Sequence, residues 1–139
     1  MLVVLLALLG IAPVQPAAGM AGTWVAEHRG TAFIRLELKS AGGTLGGMIG
    51  IGNVRFGEKS EVVEVGPLPA TLTPLIDVMV GDSSLSFAIR EGNDADHFQL
   101  KMVGVDQAEL TFSLSEDVIE ELKDEGLPMP GPIRLHKIR

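Results

Sequence analysis

An all-β fold follows from three features of the chain: an antiparallel up-and-down (meander) β-barrel of about eight strands, with one short C-terminal helix before the last strand. Apolar residues recur at every second position from Trp24 onward. Each alternating run is closed by glycine or by an Asp/Asn cluster, the residue types that tight turns require. The period lengthens to that of a helix at one place, after Ser115.

The chain opens with a segment of another kind. Met1 to Val14 is almost wholly apolar (MLVVLLALLGIAPV), and a zone of mostly small residues, Ala17 to Ala21, follows. This is the pattern of a secretory signal peptide; the alternative is a buried amino-terminal strand or helix of the folded domain, for which thirteen nearly unbroken apolar residues ending in Pro13 would make an odd helix face. The apolar run is too short for a permanent span, since a hydrocarbon core about 30 Å thick takes roughly 20 residues of helix. Small residues at the −3 and −1 places fit a cut after Gly19 (with Ala17) or after Ala21 (with Gly19). No Lys or Arg precedes the run, which departs from the usual signal and is compatible with a start upstream of Met1. Residues 1–21 are therefore assigned to a signal peptide and 22–139 to a single β-barrel domain, secreted or periplasmic, with no membrane span after signal removal. The chain has no cysteine, which excludes disulfides, thiol catalysis, cysteine-ligated zinc and a lipid anchor on a cysteine at the cut.

Within the barrel segment, Ala32, Ile34, Leu36 and Leu38 alternate with Phe33, Arg35, Glu37 and Lys39, so one face is aliphatic and the other charged, with the Phe33 ring on the charged face. The turn Ser40 to Gly43 leads into Leu45, Gly47, Ile49 and Ile51. After a polar stretch around Gly57 to Ser60 comes a short strand at Val63 and Val65. Gly66 to Pro74 carries three prolines, which cannot donate to a central ladder and mark a loop or a sheet edge. Ile76, Val78 and Val80 resume the pattern, Gly81 to Ser83 turns the chain, and Leu85, Phe87 and Ile89 return. Glu91 to Asp96 turns it again into Phe98, Leu100 and Met102, and Gly104 to Gln107 into Leu110, Phe112 and Leu114. Ser115 caps a helix with Val118, Ile119 and Leu122 on one face, Glu116 and Asp117 in its first turn and Gly126 at its end. A proline-rich connector, Pro128 to Pro132, precedes a last strand over 133–138. Hairpin-to-hairpin order favours a barrel over a sandwich, because closure removes exposed sheet edges.

Gly22-Thr23-Trp24 resembles the G-x-W that opens the first strand of the calycin group, which includes the lipocalins and avidins, and in which the Trp closes one end of the barrel. Gly30-Thr31-Ala32-Phe33 and Gly43-Thr44-Leu45-Gly46-Gly47 are similar to the next avidin motifs. The resemblance implies a barrel in which Arg134, in the last strand, stacks on Trp24. It does not extend to biotin: Ala26 and Ile49 stand where avidins have Asn and Tyr, only Thr31 keeps the expected hydroxyl, and Trp24 is the sole tryptophan.

A net charge of −7 argues against a nucleic-acid partner, whose phosphates a negative surface repels. His28, His97 and His136 stand apart at no metal-ligand spacing, and Ser83, Ser84, Ser113 and Ser115 lie outside any nucleophile elbow, so no catalytic or metal-binding residue is assigned and no cofactor is expected. The acidic run Glu91 to Asp96 lacks the EF-hand order and reads as a solvated hairpin turn. The leading expectation is a non-enzymatic exported barrel that binds a small apolar ligand in a pocket lined by Trp24, Ile34, Leu36, Ile49, Phe87, Phe98, Leu100 and Phe112. The alternative is an envelope protein-interaction module resembling small exported barrels that inhibit proteases, with the Pro67 to Pro74 loop and Phe33 as its exposed surface. An enzyme whose residues converge from separate strands is the third.

Overall fold

A computed structural model describes residues 19–138. Most of the segment assigned to the signal peptide, residues 1–18, lies outside the described residues.

The strands are β1 (Gly22–His28), β2 (Thr31–Ala41), β3 (Thr44–Ile51), β4 (Val54–Phe56), β5 (Val62–Val65), β6 (Thr73–Pro74), β7 (Ile76–Val80), β8 (Ser84–Glu91), β9 (Asp94–Gly104), β10 (Gln107–Ser113) and β11 (Ile133–Ile138); the helix α1 (Glu116–Asp124) precedes β11. All pairings are antiparallel. The main sheet has nine strands rather than about eight, in the order β6-β3-β2-β1-β11-β10-β9-β8-β7. Its two outer strands are consecutive in the chain. Thr73 and Pro74 lie against Ile49 and Met48, Leu75 donates its N–H to the Gly47 carbonyl (3.0 Å), and the chain then crosses to pair Ile76 with Ala88. One stretch of chain thus leaves one edge of the ribbon and joins the other, and the barrel is nearly closed.

Period-two alternation fills the interior. Trp24, Ile34, Leu36, Leu38, Leu45, Ile49, Leu85, Phe87, Leu100, Leu110 and Leu135 are buried together, and among the described residues no polar or charged one is buried with them. At Gly47 the walls approach so closely that a Cβ would run into the Glu37 carbonyl of the neighbouring strand, which is why a glycine interrupts the aliphatic series there.

Two features depart from strict alternation. Between Ala26 and Glu27 the register with β2 shifts, because Ala26 faces Ile34 while Glu27 faces Ala32. Phe33 is the extra residue of this β-bulge, and a bulge re-aims the side chain it carries. Phe33 is therefore buried alongside Ile34, not displayed on the charged face as the simple alternation requires. The second is the hairpin of β4 and β5, whose first strand the sequence pattern does not reveal. Val54, Phe56, Val62 and Val65 pack on the barrel core, and the connector into β11 runs so close to the hairpin's turn that a Cβ on Gly131 would strike the Ser60 carbonyl.

The closed end is built around Trp24. Its indole is fully buried and its Nε1–H donates to the Met20 carbonyl (2.8 Å). The cation over the ring comes from Lys137, which faces Trp24 across the β1–β11 ladder and holds its Nζ 5.4 Å from the ring centroid. Arg134, expected in that place, lies on the outer surface, where it donates to Gln107 (3.0 Å) and Glu109 (3.1 Å). Residue parity in β11 explains the difference: Ile133 and Leu135 point inward, Lys137 continues that face, and Arg134 belongs to the other.

Replacing Trp24 by Ala removes the largest core side chain and a buried hydrogen bond, and costs about 3 to 5 kcal/mol in denaturant unfolding. A loss below about 1 kcal/mol would show that the indole does not hold this end together.

Candidate functional site

The end of the barrel opposite Trp24 differs in chemistry from the rest of the interior. On β8 the inward positions are Leu85, Phe87, Ile89 and Glu91, and on β9 they face Leu100, Phe98, Asp96 and Asp94 in that order. On β10, Leu110 and Phe112 face Leu100 and Phe98. Alternation that is unbroken along each strand therefore carries the inner wall from aliphatic side chains through phenyl rings to carboxylates at the rim.

Four rings form a chain from the core outward. Phe87 and Phe98 are stacked with centroids 5.4 Å apart, Phe98 meets Phe112 edge-on at 5.3 Å, and Phe112 meets Phe56 of the β4–β5 hairpin edge-on at 6.0 Å. Two clefts of about 250 Å³ each open against these rings and share Phe98, Phe112 and Asp96. One runs between β9, β10 and the start of α1, with His97, Ser113 and Val118 on its wall. The other runs beneath Ile51, Asn53 and Val54 and reaches Ile89 and Glu91.

The helix beside the first cleft is held at its ends more than along its length. Ser115 accepts the Val118 N–H (3.3 Å), Glu116 and Asp117 occupy the first turn, and Leu127 N–H closes on the Leu122 carbonyl (2.9 Å) beyond Lys123. None of its residues is buried, and Val118 presents an apolar side chain to the cleft while still 38% exposed.

Glu91 carries the site's electrostatic signature. The neighbouring Asp96 carboxylate raises its pKa above the ordinary 4.5, and partial loss of water and a hydrogen bond between the two carboxyls act in the same direction. Two like charges at one rim favour a proton or another positive group between them.

Searches with this chain find no matching family model, curated protein or solved structure. The site rests on its own geometry. All eight residues assigned to the pocket from sequence come together in or against the core. Phe98 and Phe112 line the clefts. Trp24, Ile34, Leu36, Ile49, Phe87 and Leu100 are packed below them, buried. The structure adds Asp96, Glu91, Asn53 and Val118. The first two read locally as a solvated turn, yet the series Leu85, Phe87, Ile89 reaches Glu91 by one more step of two, and Phe98 reaches Asp96 the same way. Only two residues, Gly92 and Asn93, separate the strands, so both carboxylates belong to the barrel wall.

The histidines do not converge. His97 lies at the first cleft, and His136 Nε2 is 3.7 Å from Glu27. His28 lines a third, polar cleft of about 200 Å³ with Arg29, Thr31 and Glu64, and its buried Nε2 has no hydrogen-bond partner among the described residues. Among the described residues no group of three or more His, Asp or Glu stands together as metal ligands do.

Because folding brings Glu91 and Asp96 together, Glu91 binds its proton more tightly in the folded state. That contribution to stability is complete below the unfolded value near 4.5 and is lost as pH rises through the higher folded value. Glu91→Gln, which mimics the protonated form, therefore raises the melting temperature at pH 7, and the gain shrinks toward zero below about pH 4. A gain independent of pH would show that repulsion at the rim is not its source.

Proposed function

We propose that the protein is an exported, non-enzymatic barrel that binds a small molecule at the rim opposite Trp24, with an apolar body against Phe98 and Phe112 and a cationic or hydrogen-bond-donating end on Glu91 and Asp96. The observation that carries this reading is the sharing of Phe98, Phe112 and Asp96 by both clefts. An apolar wall with a few convergent polar groups is what small-molecule sites are made of. Phenyl faces attract cations as well as apolar groups, so rings and carboxylates select the same kind of ligand. At about 250 Å³ each, the clefts suit a compact molecule rather than a long lipid chain.

Export is supported by the apolar leader and the small residues after it. Among the described residues no helix is long and apolar enough to cross a membrane. The protein-partner alternative has lost one of its two grounds, because the Phe33 ring is buried. Its other ground, the proline loop, is only partly free: Pro67, Pro69 and Pro74 are exposed, while Leu72 and Pro69 also lie against Gly50 on the barrel wall.

Benzylamine, benzyl alcohol and benzoate share a ring and differ in the charge of the end group. At pH 7 benzylamine raises the melting temperature most and benzoate least, and saturation to a hundredfold over Kd corresponds to about 2.7 kcal/mol of stabilisation. Phe112→Ala abolishes the response to all three, and Glu91→Gln with Asp96→Asn removes the preference for the amine. Equal responses to the three probes would sink the carboxylate role, and no response to any would sink the site.

A further inference from the structure

We infer that the export signal is removed at the Gly19–Met20 bond, so that Met20 is the first residue of the mature protein and part of its core. The inference rests on the export reading and extends it to one bond.

The small-residue rule allows a cut after Gly19 or after Ala21 and does not choose between them. The fold does choose. Met20 is fully buried among the core residues, and its carbonyl accepts the Trp24 Nε1–H at 2.8 Å. Ala21 is half-buried against the same core. Gly19 is exposed, and its carbonyl accepts from Lys137 Nζ (3.0 Å) in a contact that is itself exposed to water. Of the two candidate cuts, the one after Gly19 keeps Met20 and Ala21, which lie in and against the core, in the mature chain.

A cut after Ala21 would remove the Met20 side chain from the floor of the barrel and leave the indole N–H buried without its acceptor. Both are costly: a vacated core volume loses contacts, and an unsatisfied buried donor loses the hydrogen bond it would have made to water. Among the described residues, a cut after Gly19 loses an exposed contact to Lys137, whose Nζ lies over the Trp24 ring. Chemically the step is a hydrolysis by an export endopeptidase. The Gly19–Met20 C–N bond breaks, the oxygen of one water stays on Gly19 as part of its carboxylate, and both hydrogens of that water go to the Met20 nitrogen, which becomes an α-ammonium. The small side chains that such an enzyme reads at −3 and −1 are then Ala17 and Gly19.

The full chain, expressed in a bacterial host and recovered from the periplasm or medium, is tested by intact mass and N-terminal sequencing. A single species beginning at Met20 is expected. An exported species beginning at Gly22, or at any other residue, overturns the inference and leaves export standing. An unprocessed chain held in the cytoplasm overturns export and the cut together. Independently of processing in the cell, a purified chain starting at Met20 melts on the order of 10 °C above one starting at Gly22. Equal melting temperatures would show that the fold does not use Met20 and would remove the reason for choosing this bond.

Discussion

The barrel depends on a plug. A ribbon of strands rolled upon itself has two open ends, and apolar side chains that line such a tube stay dry only if at least one of them is sealed. Here the seal is Trp24. It fills the floor from the first strand, its one polar atom is satisfied by the Met20 carbonyl, and Lys137 from the last strand lays its ammonium over the outer face of the ring. The first and last strands of the meander are neighbours, so the plug also ties the two ends of the meander together.

With one end sealed, the other is where chemistry can collect. Along β8 and β9 every second residue faces in, and toward the open rim that series ends in Glu91, Asp94 and Asp96. Carboxylates are tolerated there because water still reaches them, whereas the same groups near Trp24 would be stripped of solvent. The rim thus combines phenyl faces just below the water line with negative charge just above it. Its cover includes the β4–β5 hairpin and a helix with no buried residue, and the clefts lie along the seams between those pieces and the strands.

Much of the wall was legible in the residues themselves. Ile34, Leu36, Ile49, Phe87, Phe98, Leu100 and Leu110 alternate cleanly, and each faces inward. The helix is equally legible, since Ser115, Gly126 and the spacing of Val118, Ile119 and Leu122 are local signals. Other features depend on distance in the chain. Phe33 looks exposed until the register with β1 slips by one residue at Ala26, and no residue in β2 announces that slip. The β4 strand is three residues long, and its Phe56 meets the ring of Phe112, more than fifty positions later. Glu91 and Asp96 read as a polar turn because turns and acidic residues so often coincide.

Sequence by itself determined the all-β class, the meander order, the helix and the inward set of apolar side chains, because each is encoded in spacings of two to four residues. Tertiary structure alone decided the rest: nine paired strands closed through Leu75, Lys137 rather than Arg134 over the indole, Met20 as part of the core, and a rim where aromatic rings meet a carboxylate pair. Those outcomes turn on which distant strands become neighbours and in what register, and a one-residue shift in pairing changes the face on which a side chain emerges without changing a single local pattern.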